Sequence, residues 1–237
     1  MSESASVPAR MDPPEAIGPL RRSRLQSARL YFVCEALPGG QDPEPLLLAA
    51  LSSRAGMTEL RDREQPDHVI ARSANTFRRL ADIHSSLFIV NDDPYLARRL
   101  NADGVHVGQD DIPPSEAREI LGAEAIIGLS THSREQIEAA HSQPVDYISV
   151  GPIWETPTKA GRPATGLDLI RKAAEIATLP WFAIGGITPE NAVEVVAAGA
   201  QRLCVVRAIR DAADPRAAAQ SLLAAVDPVV AAATERP

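Results

Sequence analysis

The 237-residue sequence predicts an α/β fold, a single closed (β/α)8 TIM barrel. Three observations carry that expectation. Short apolar runs alternate with amphipathic helical patterns from residue 29 onward. The alternation repeats eight times before residue 227. Polar and glycine-rich segments recur where the apolar runs end, the end that carries the chemistry in such barrels. A doubly wound open sheet is the alternative, and the count of eight decides against it. The domain reading is an N-terminal disordered tail over 1–28, a catalytic barrel over 29–227 and a C-terminal tail over 228–237.

The elements follow in order. Strand-like runs fall at 30–33, 57–60, 87–90, 104–107, 125–129, 147–150, 181–184 and 203–206. Helical patterns fall at 43–54, 67–83, 93–100, 114–121, 134–141, 167–177, 189–198 and 213–226. Pro113 and Pro114 introduce one helix, and Thr188-Pro189 offers another an N-cap and a first-turn proline. Gly199 closes the far end of that helix. Ser133, with Gln136 three residues on, has the form of a capping box, while Asp93 and Asp110 suit the starts of the helices after them. Residues 1–28 contain Pro8, Pro13, Pro14, Pro19 and the basic cluster Arg21-Arg22-Ser23-Arg24, with no apolar period. That composition reads as a solvated tail.

Hydrophobic residues make up 45% of the chain, enough for a sizeable core. A net charge of −7 argues against nucleic acid as a partner. No apolar run reaches membrane-spanning length, and the N-terminus lacks a signal-peptide core. The expectation is a cytoplasmic enzyme of small molecules with no membrane partner; oligomeric state has no sequence signal. The two cysteines, Cys34 and Cys204, sit inside apolar runs and read as core residues.

The strand ends hold the candidate chemistry. After the sixth run comes Gly151-Pro152-Ile153-Trp154-Glu155-Thr156-Pro157-Thr158-Lys159, opening a connection of fifteen residues, 151–165. Connections of that length in a compact α/β chain are usually functional, and this one suits a lid. Thr156, Thr158 and Lys159 place two hydroxyls and an ammonium together, a donor set for an oxyanion. After the second run, alternation puts Glu59, Arg61 and Arg63 on one side, and arginine forks bind phosphate oxygens. Asn91-Asp92-Asp93 follows the third run, and Gly108-Gln109-Asp110-Asp111 the fourth. Carboxylates from neighbouring strand ends beside phosphate-binding candidates point to Mg2+, with Asp92 and Asp111 as ligands and Asn91 as a neutral hydrogen-bonder. His106 reads as structural rather than catalytic. Ser130 is a hydrogen-bond donor for the barrel mouth. Gly185-Gly186 lets backbone approach a ligand, and the amides of Val206 and Arg207 complete a phosphate cup.

Assembled in this order, the residues resemble the thiamine-phosphate synthase family over 29–226. The most specific stretches are Val90-Asn91-Asp92-Asp93, Ala102-Asp103-Gly104-Val105-His106-Val107-Gly108-Gln109-Asp110-Asp111, Gly151-Pro152-Ile153 through Thr156-Pro157-Thr158-Lys159, and Ala183-Ile184-Gly185-Gly186-Ile187. The resemblance implies a TIM barrel that joins 4-amino-2-methyl-5-hydroxymethylpyrimidine diphosphate to 4-methyl-5-(2-phosphoethyl)thiazole with Mg2+. The products are thiamine phosphate and diphosphate. It implies Mg2+ ligation by Asp92 and Asp111. It places Arg61, Asn91, Ser130 and Lys159 around diphosphate and pyrimidine, with Arg61, Ser130 and Lys159 as the catalytic set. Thr156, Thr158, Gly186 and the amides of Val206 and Arg207 fall to the thiazole phosphate.

Three positions depart from the family pattern. Glu59 and Arg63 stand where the motif Gln-x-Arg-Glu-Lys has Gln and Lys, and Arg207 stands where many relatives have Ser. The segment 35–56 is also short for the family's first helix. Two other readings fit the same barrel: a thiazole tautomerase-like homologue, and a non-catalytic binder of thiamine precursors.

Overall fold

The computed structural model describes residues 17–156 and 163–226. Its eight strands close into one parallel barrel in sequence order. They are β1 (Leu30–Cys34), β2 (Met57–Leu60), β3 (Leu87–Asn91), β4 (Gly104–Val107), β5 (Ile126–Thr131), β6 (Tyr147–Val150), β7 (Trp181–Ile184) and β8 (Leu203–Val205). Closure is made by β1 on β8, with Tyr31 opposite Cys204 and Phe32 opposite Val205. Each strand is short and buried on both faces, which is why its apolar run is nearly continuous.

Helices follow the strands around the outside: α2 (Glu44–Ser52), α3 (Asp67–Ile83), α4 (Pro94–Arg99), α5 (Pro114–Leu121), α6 (Arg134–Ala140), α7 (Gly166–Ile176), α8 (Ala192–Ala197), the short α9 (Arg207–Arg210) and α10 (Pro215–Val226). Asp93 caps α4 by accepting from the Leu96 amide, and Ser133 caps α6 by accepting from the Gln136 amide. Both caps were predicted from residue type. The helix expected at 189–198 is shorter. Asn191 occupies the N-cap of α8, and its side chain turns back to accept from Thr188 N at 2.8 Å and donate to Gly186 O at 3.0 Å. Among the described residues no helix is long and apolar enough to cross a membrane.

Alternation divides the core in two. Outward strand residues such as Phe32, Phe88, Val105 and Ile148 meet the helices in one cluster. Inward residues form a second cluster inside the barrel: Tyr31, Met57, Leu87, Ile89, Ile126, Tyr147 and Phe182. Leu25 and Ala28 belong to that inner cluster, although neither lies on a strand.

This corrects the expectation of a tail over 1–28. Residues Ile17–Ser27 form a helix, α1, that docks at the end where the strands begin; residues 1–16 lie outside the described residues. Arg21 Nε donates to Asp103 Oδ1 at 2.9 Å, and Arg22 Nε to Asp146 Oδ1 at 3.1 Å. Those aspartates precede β4 and β6. Asp103 also takes Arg78 at 2.8 Å and the Phe88 amide at 2.9 Å. Asp146 takes Arg118 at 2.6 Å and the Ile127 amide at 2.9 Å. Each carboxylate is thus satisfied by two arginines and a backbone donor, the condition under which a buried ion pair holds. Leu25, 1% exposed, plugs the barrel floor. The helix was illegible because it docks through arginine–aspartate pairs and one leucine rather than an apolar stripe.

The docking has a measurable consequence. Leu25→Ala should cost about 2–4 kcal/mol by urea unfolding, because the closed floor cannot collapse into the vacated space. Ser23→Ala, on the exposed side of the same helix, should stay within about 0.5 kcal/mol. Equal, negligible effects at both positions would mean that α1 does not dock.

Candidate active site at the strand C-termini

A cavity of about 300 Å³ opens among the C-terminal ends of the strands. Its wall carries Glu59, Arg61, Asn91, Ser130, Thr156, Gly186, Val206 and Arg207 together. Those eight are among the residues singled out from sequence, brought to one mouth from six segments of chain. Thr158 and Lys159 lie outside the described residues.

The three residues read as one side after β2 separate. β2 ends at Leu60, so strict alternation stops there. Glu59 points into the barrel and is 3% exposed. Arg61 remains on the cavity wall. Arg63 turns to the carboxylates instead: its guanidinium donates to Asp92 and, at 3.2 Å, to Asp111 Oδ1.

Asp92 and Asp111, predicted as a pair, are brought against one another beside Asn91, whose amide donates to Asp92. Asp92 sits at φ +62, a conformation that residues with a Cβ rarely adopt. It is held there by its amide, which donates to His106 O at 2.7 Å. Burial raises the Asp92 carboxyl above the usual carboxylate range, and the hydrogen bond and charge of Asp111 add to that. Burial pushes Asp111 up too, but its hydrogen bond with Asp92, the Gly108 amide and Arg63 together hold it below that range. Two carboxylates therefore share one compensating cation.

The cavity floor is a chain of hydrogen bonds that the strand-end reading missed. The Tyr31 hydroxyl donates to Glu59 and lies 3.1 Å from the Tyr147 hydroxyl. Tyr147 lies 3.0 Å from His106 Nδ1, and His106 Nε2 lies 3.0 Å from Ser130 Oγ and 3.3 Å from Ser149 Oγ. His106 therefore touches a site residue directly. The available signal was polarity at inward positions within apolar strands: Tyr31, His106, Tyr147 and Ser149 alternate with buried outward residues. Burial, then the charge of Glu59, raises the Tyr31 hydroxyl well above its ordinary value; burial and then Glu59 do the same to Tyr147.

The glycine pair after β7 has two roles. Gly185 and Gly186 adopt φ +107 and +68, and a side chain on either would strike Pro152 or Trp154 of the loop after β6. That loop is tied across by Ile153 N to Ile184 O at 3.0 Å and Trp154 N to Gly185 O at 3.2 Å. Close backbone packing thus needs the glycines, and the same backbone lines the cavity. Arg207 begins α9, where the first amides of a helix have no intrahelical acceptor. Behind it, Arg210 holds Glu35 at 2.5 Å and Asp211 at 2.6 Å.

Such an arrangement defines the class: a TIM barrel whose polar donors and paired carboxylates meet at the strand C-termini. The sequence matches the thiamine monophosphate synthase family over residues 30–209, and the chain belongs to that family. It is 45% identical over 205 residues to the thiamine-phosphate synthase of Acidothermus cellulolyticus, covering 86% of this chain and 97% of that one. The thiamine-phosphate synthase of Nostoc punctiforme is 42% identical over 211 residues, covering 87% of this chain, which spans 58% of that longer relative. Among solved structures, thiamine phosphate pyrophosphorylase from Pyrococcus furiosus superposes with a TM-score of 0.77 at 30% identity, covering 88% of this chain and 98% of that one.

The buried tyrosines tie stability to alkaline pH. The unfolded chain releases tyrosine protons near pH ~10, whereas the folded chain retains them. Stability from this source is full below that pH and falls above it, since the native state then binds more protons than the unfolded one. In a Tyr95→Phe background only Tyr31 and Tyr147 remain to report. Their phenolate absorbance should appear together with loss of the circular-dichroism signal. Ionisation within a chain that keeps its native signal would contradict this account.

Proposed function

We propose that the chain is a thiamine-phosphate synthase. It joins 4-amino-2-methyl-5-hydroxymethylpyrimidine diphosphate to 4-methyl-5-(2-phosphoethyl)thiazole and releases diphosphate. The observation that carries this reading is the Asp92–Asp111 pair bridged by Arg63 beside a cavity walled by Arg61, Asn91 and Ser130. The family's motifs fall on those residues, and the chain covers nearly the whole of several relatives with that name.

The donor set fits Mg2+. Magnesium is usually held by one or two carboxylates plus substrate phosphates, and these two hard-oxygen groups already share a positive partner, Arg63. When bound, Mg2+ supplies charge neutralisation for the departing diphosphate. Asp92 and Asp111 would hold it, with Asn91 steadying Asp92. Arg61 and Lys159 supply further positive charge to the same leaving group. The carbon–oxygen bond breaks first, and the amino-substituted ring stabilises the pyrimidinylmethyl cation. The thiazole nitrogen then attacks that carbon. It carries no proton, so the step needs no general base. The thiazole phosphate is received by Thr156, Thr158, Gly186 and the amides of Val206 and Arg207, with the Arg207 guanidinium replacing a hydroxyl by a charge. Val33, Ile184, Ile187 and Val205 on the cavity wall help exclude the water that would capture the cation.

The direct test supplies both substrates with and without Mg2+ and measures thiamine phosphate and diphosphate in equal amounts. Product without diphosphate release, or tautomerised thiazole alone, would overturn the reading. Asp92→Ala and Lys159→Ala should each lower turnover by at least about 100-fold with the circular-dichroism spectrum intact, because each removes charge that stabilises the leaving group.

Arg63 gives a second, activity-free test of the metal assignment. A cation must displace it from the carboxylates, so Arg63→Gln should bind Mn2+ several-fold more tightly than the unaltered chain in substrate-free calorimetry. Weaker binding in the variant would count against Asp92 and Asp111 as ligands.

A further inference from the structure

The hydrogen-bond chain beneath the cavity begins at Glu59, the residue that departs from the family's Gln. We propose that Glu59 is a positioning residue: through Tyr31 and Tyr147 it fixes His106 as the Nδ1–H tautomer and turns Ser130 to present an oxygen lone pair, not its hydrogen, to the cavity. This rests on counting hydrogens. An ionised carboxylate only accepts, and a tyrosine hydroxyl has one hydrogen to give. Tyr31 spends its hydrogen on Glu59. Its oxygen can then only accept from Tyr147 at 3.1 Å. Tyr147 has now spent its own hydrogen, so His106 Nδ1 must donate to it at 3.0 Å. The neutral ring is left with Nε2 as an acceptor; the nearer hydroxyl, Ser130 Oγ at 3.0 Å, donates to it, while Ser149 Oγ, 3.3 Å from the same nitrogen, donates to Ser130 Oγ at 3.5 Å. Ser149 takes one lone pair of Ser130, and the other is left for the cavity that Ser130 lines.

A glutamine at 59 would not impose this order, because its amide can donate or accept. Reversing the first link reverses all the rest and leaves Ser130 with a hydrogen for the cavity. The residue type at 59 therefore decides polarity more than two residues away along the chain of contacts.

The geometry holds the chain in register. Gly128 stands opposite His106 on one side and Tyr147 on the other. A Cβ there would overlap both rings, so glycine is what allows them to meet. Phe182 packs edge-on against Tyr31 at 5.4 Å and Tyr147 at 5.7 Å, fixing both phenols. High hydroxyl pKa values keep both tyrosines protonated and able to donate.

The wall so ordered selects a ligand group that donates hydrogen bonds, such as a ring amino group, over one that accepts. This use rests on the synthase reading; the proton order does not. The experiment is 15N spectroscopy of histidine-labelled protein without substrate, with His106→Gln to assign the resonance. At neutral pH His106 should show a protonated Nδ1 and a bare Nε2. Glu59→Gln and Tyr31→Phe, both close in shape to the original, should shift the ring toward Nε2–H. An Nε2–H or doubly protonated ring in the unaltered chain, or an unchanged tautomer in both variants, overturns the proposal. Calorimetry then compares 4-amino-5-hydroxymethyl-2-methylpyrimidine with its 4-oxo counterpart. The amino form should be preferred by at least about 10-fold, and Glu59→Gln should narrow that preference. A preference equal in both proteins overturns the selective role of Glu59 while leaving the tautomer result to stand or fall by itself.

Discussion

Closure of the sheet by β1 on β8 is the constraint from which the site follows. A closed parallel sheet has no edge, so each strand must send alternate residues into one shared interior. Tyr31, Glu59, His106, Ser130, Tyr147 and Ser149 come from five strands that are not all neighbours. Only a ring places them within hydrogen-bonding distance. An open sheet with the same strands would scatter them along a face.

The interior is graded along the barrel axis. At the end where strands begin, Leu25, Met57, Leu87 and Ile126 fill it with hydrocarbon. Outside that floor, Asp103 and Asp146 tie α1 to the barrel with paired arginines. At the opposite end the filling becomes polar and then opens into the cavity. Packing energy is thus concentrated at the floor, and groups whose burial is costly are concentrated beside the cavity. The hydrogen-bond chain at the junction makes that gradient tolerable, since it gives each buried hydroxyl and the imidazole a partner.

Most of the barrel was legible because burial on both faces makes parallel strands conspicuous, and capping residues such as Asp93 and Ser133 act through local chemistry. Strand starts at Met57, Gly104, Tyr147 and Trp181 agree with the apolar runs. The site was legible where residue type implies a partner: Asp92 with Asp111, or the cluster of donors at the mouth. It was not legible where meaning depends on which neighbour lies across the ring. His106 looked structural because nothing in its local sequence reveals Tyr147 or Ser130. α1 was hidden because its aspartate partners lie more than eighty residues away. Arg63 shows the limit of alternation: the rule carries through Arg61, just past the strand, and lapses three residues beyond its end.

Charge at the mouth follows the same logic of replacement. Asp92 and Asp111 lie close enough that both cannot be ionised at little cost without a cation between or beside them. Arg63 supplies one from a long, exposed side chain that can be displaced. A lysine would offer a point charge there, whereas the planar guanidinium reaches both carboxylates from one nitrogen while retaining further donors for a phosphate oxygen. In the proposed synthase, a divalent ion held by Asp92 and Asp111 would take the place of Arg63 and leave that guanidinium available to a phosphate oxygen. Loading the carboxylates and freeing a donor arm would then be coupled, and the carboxylate pair would keep a positive partner throughout.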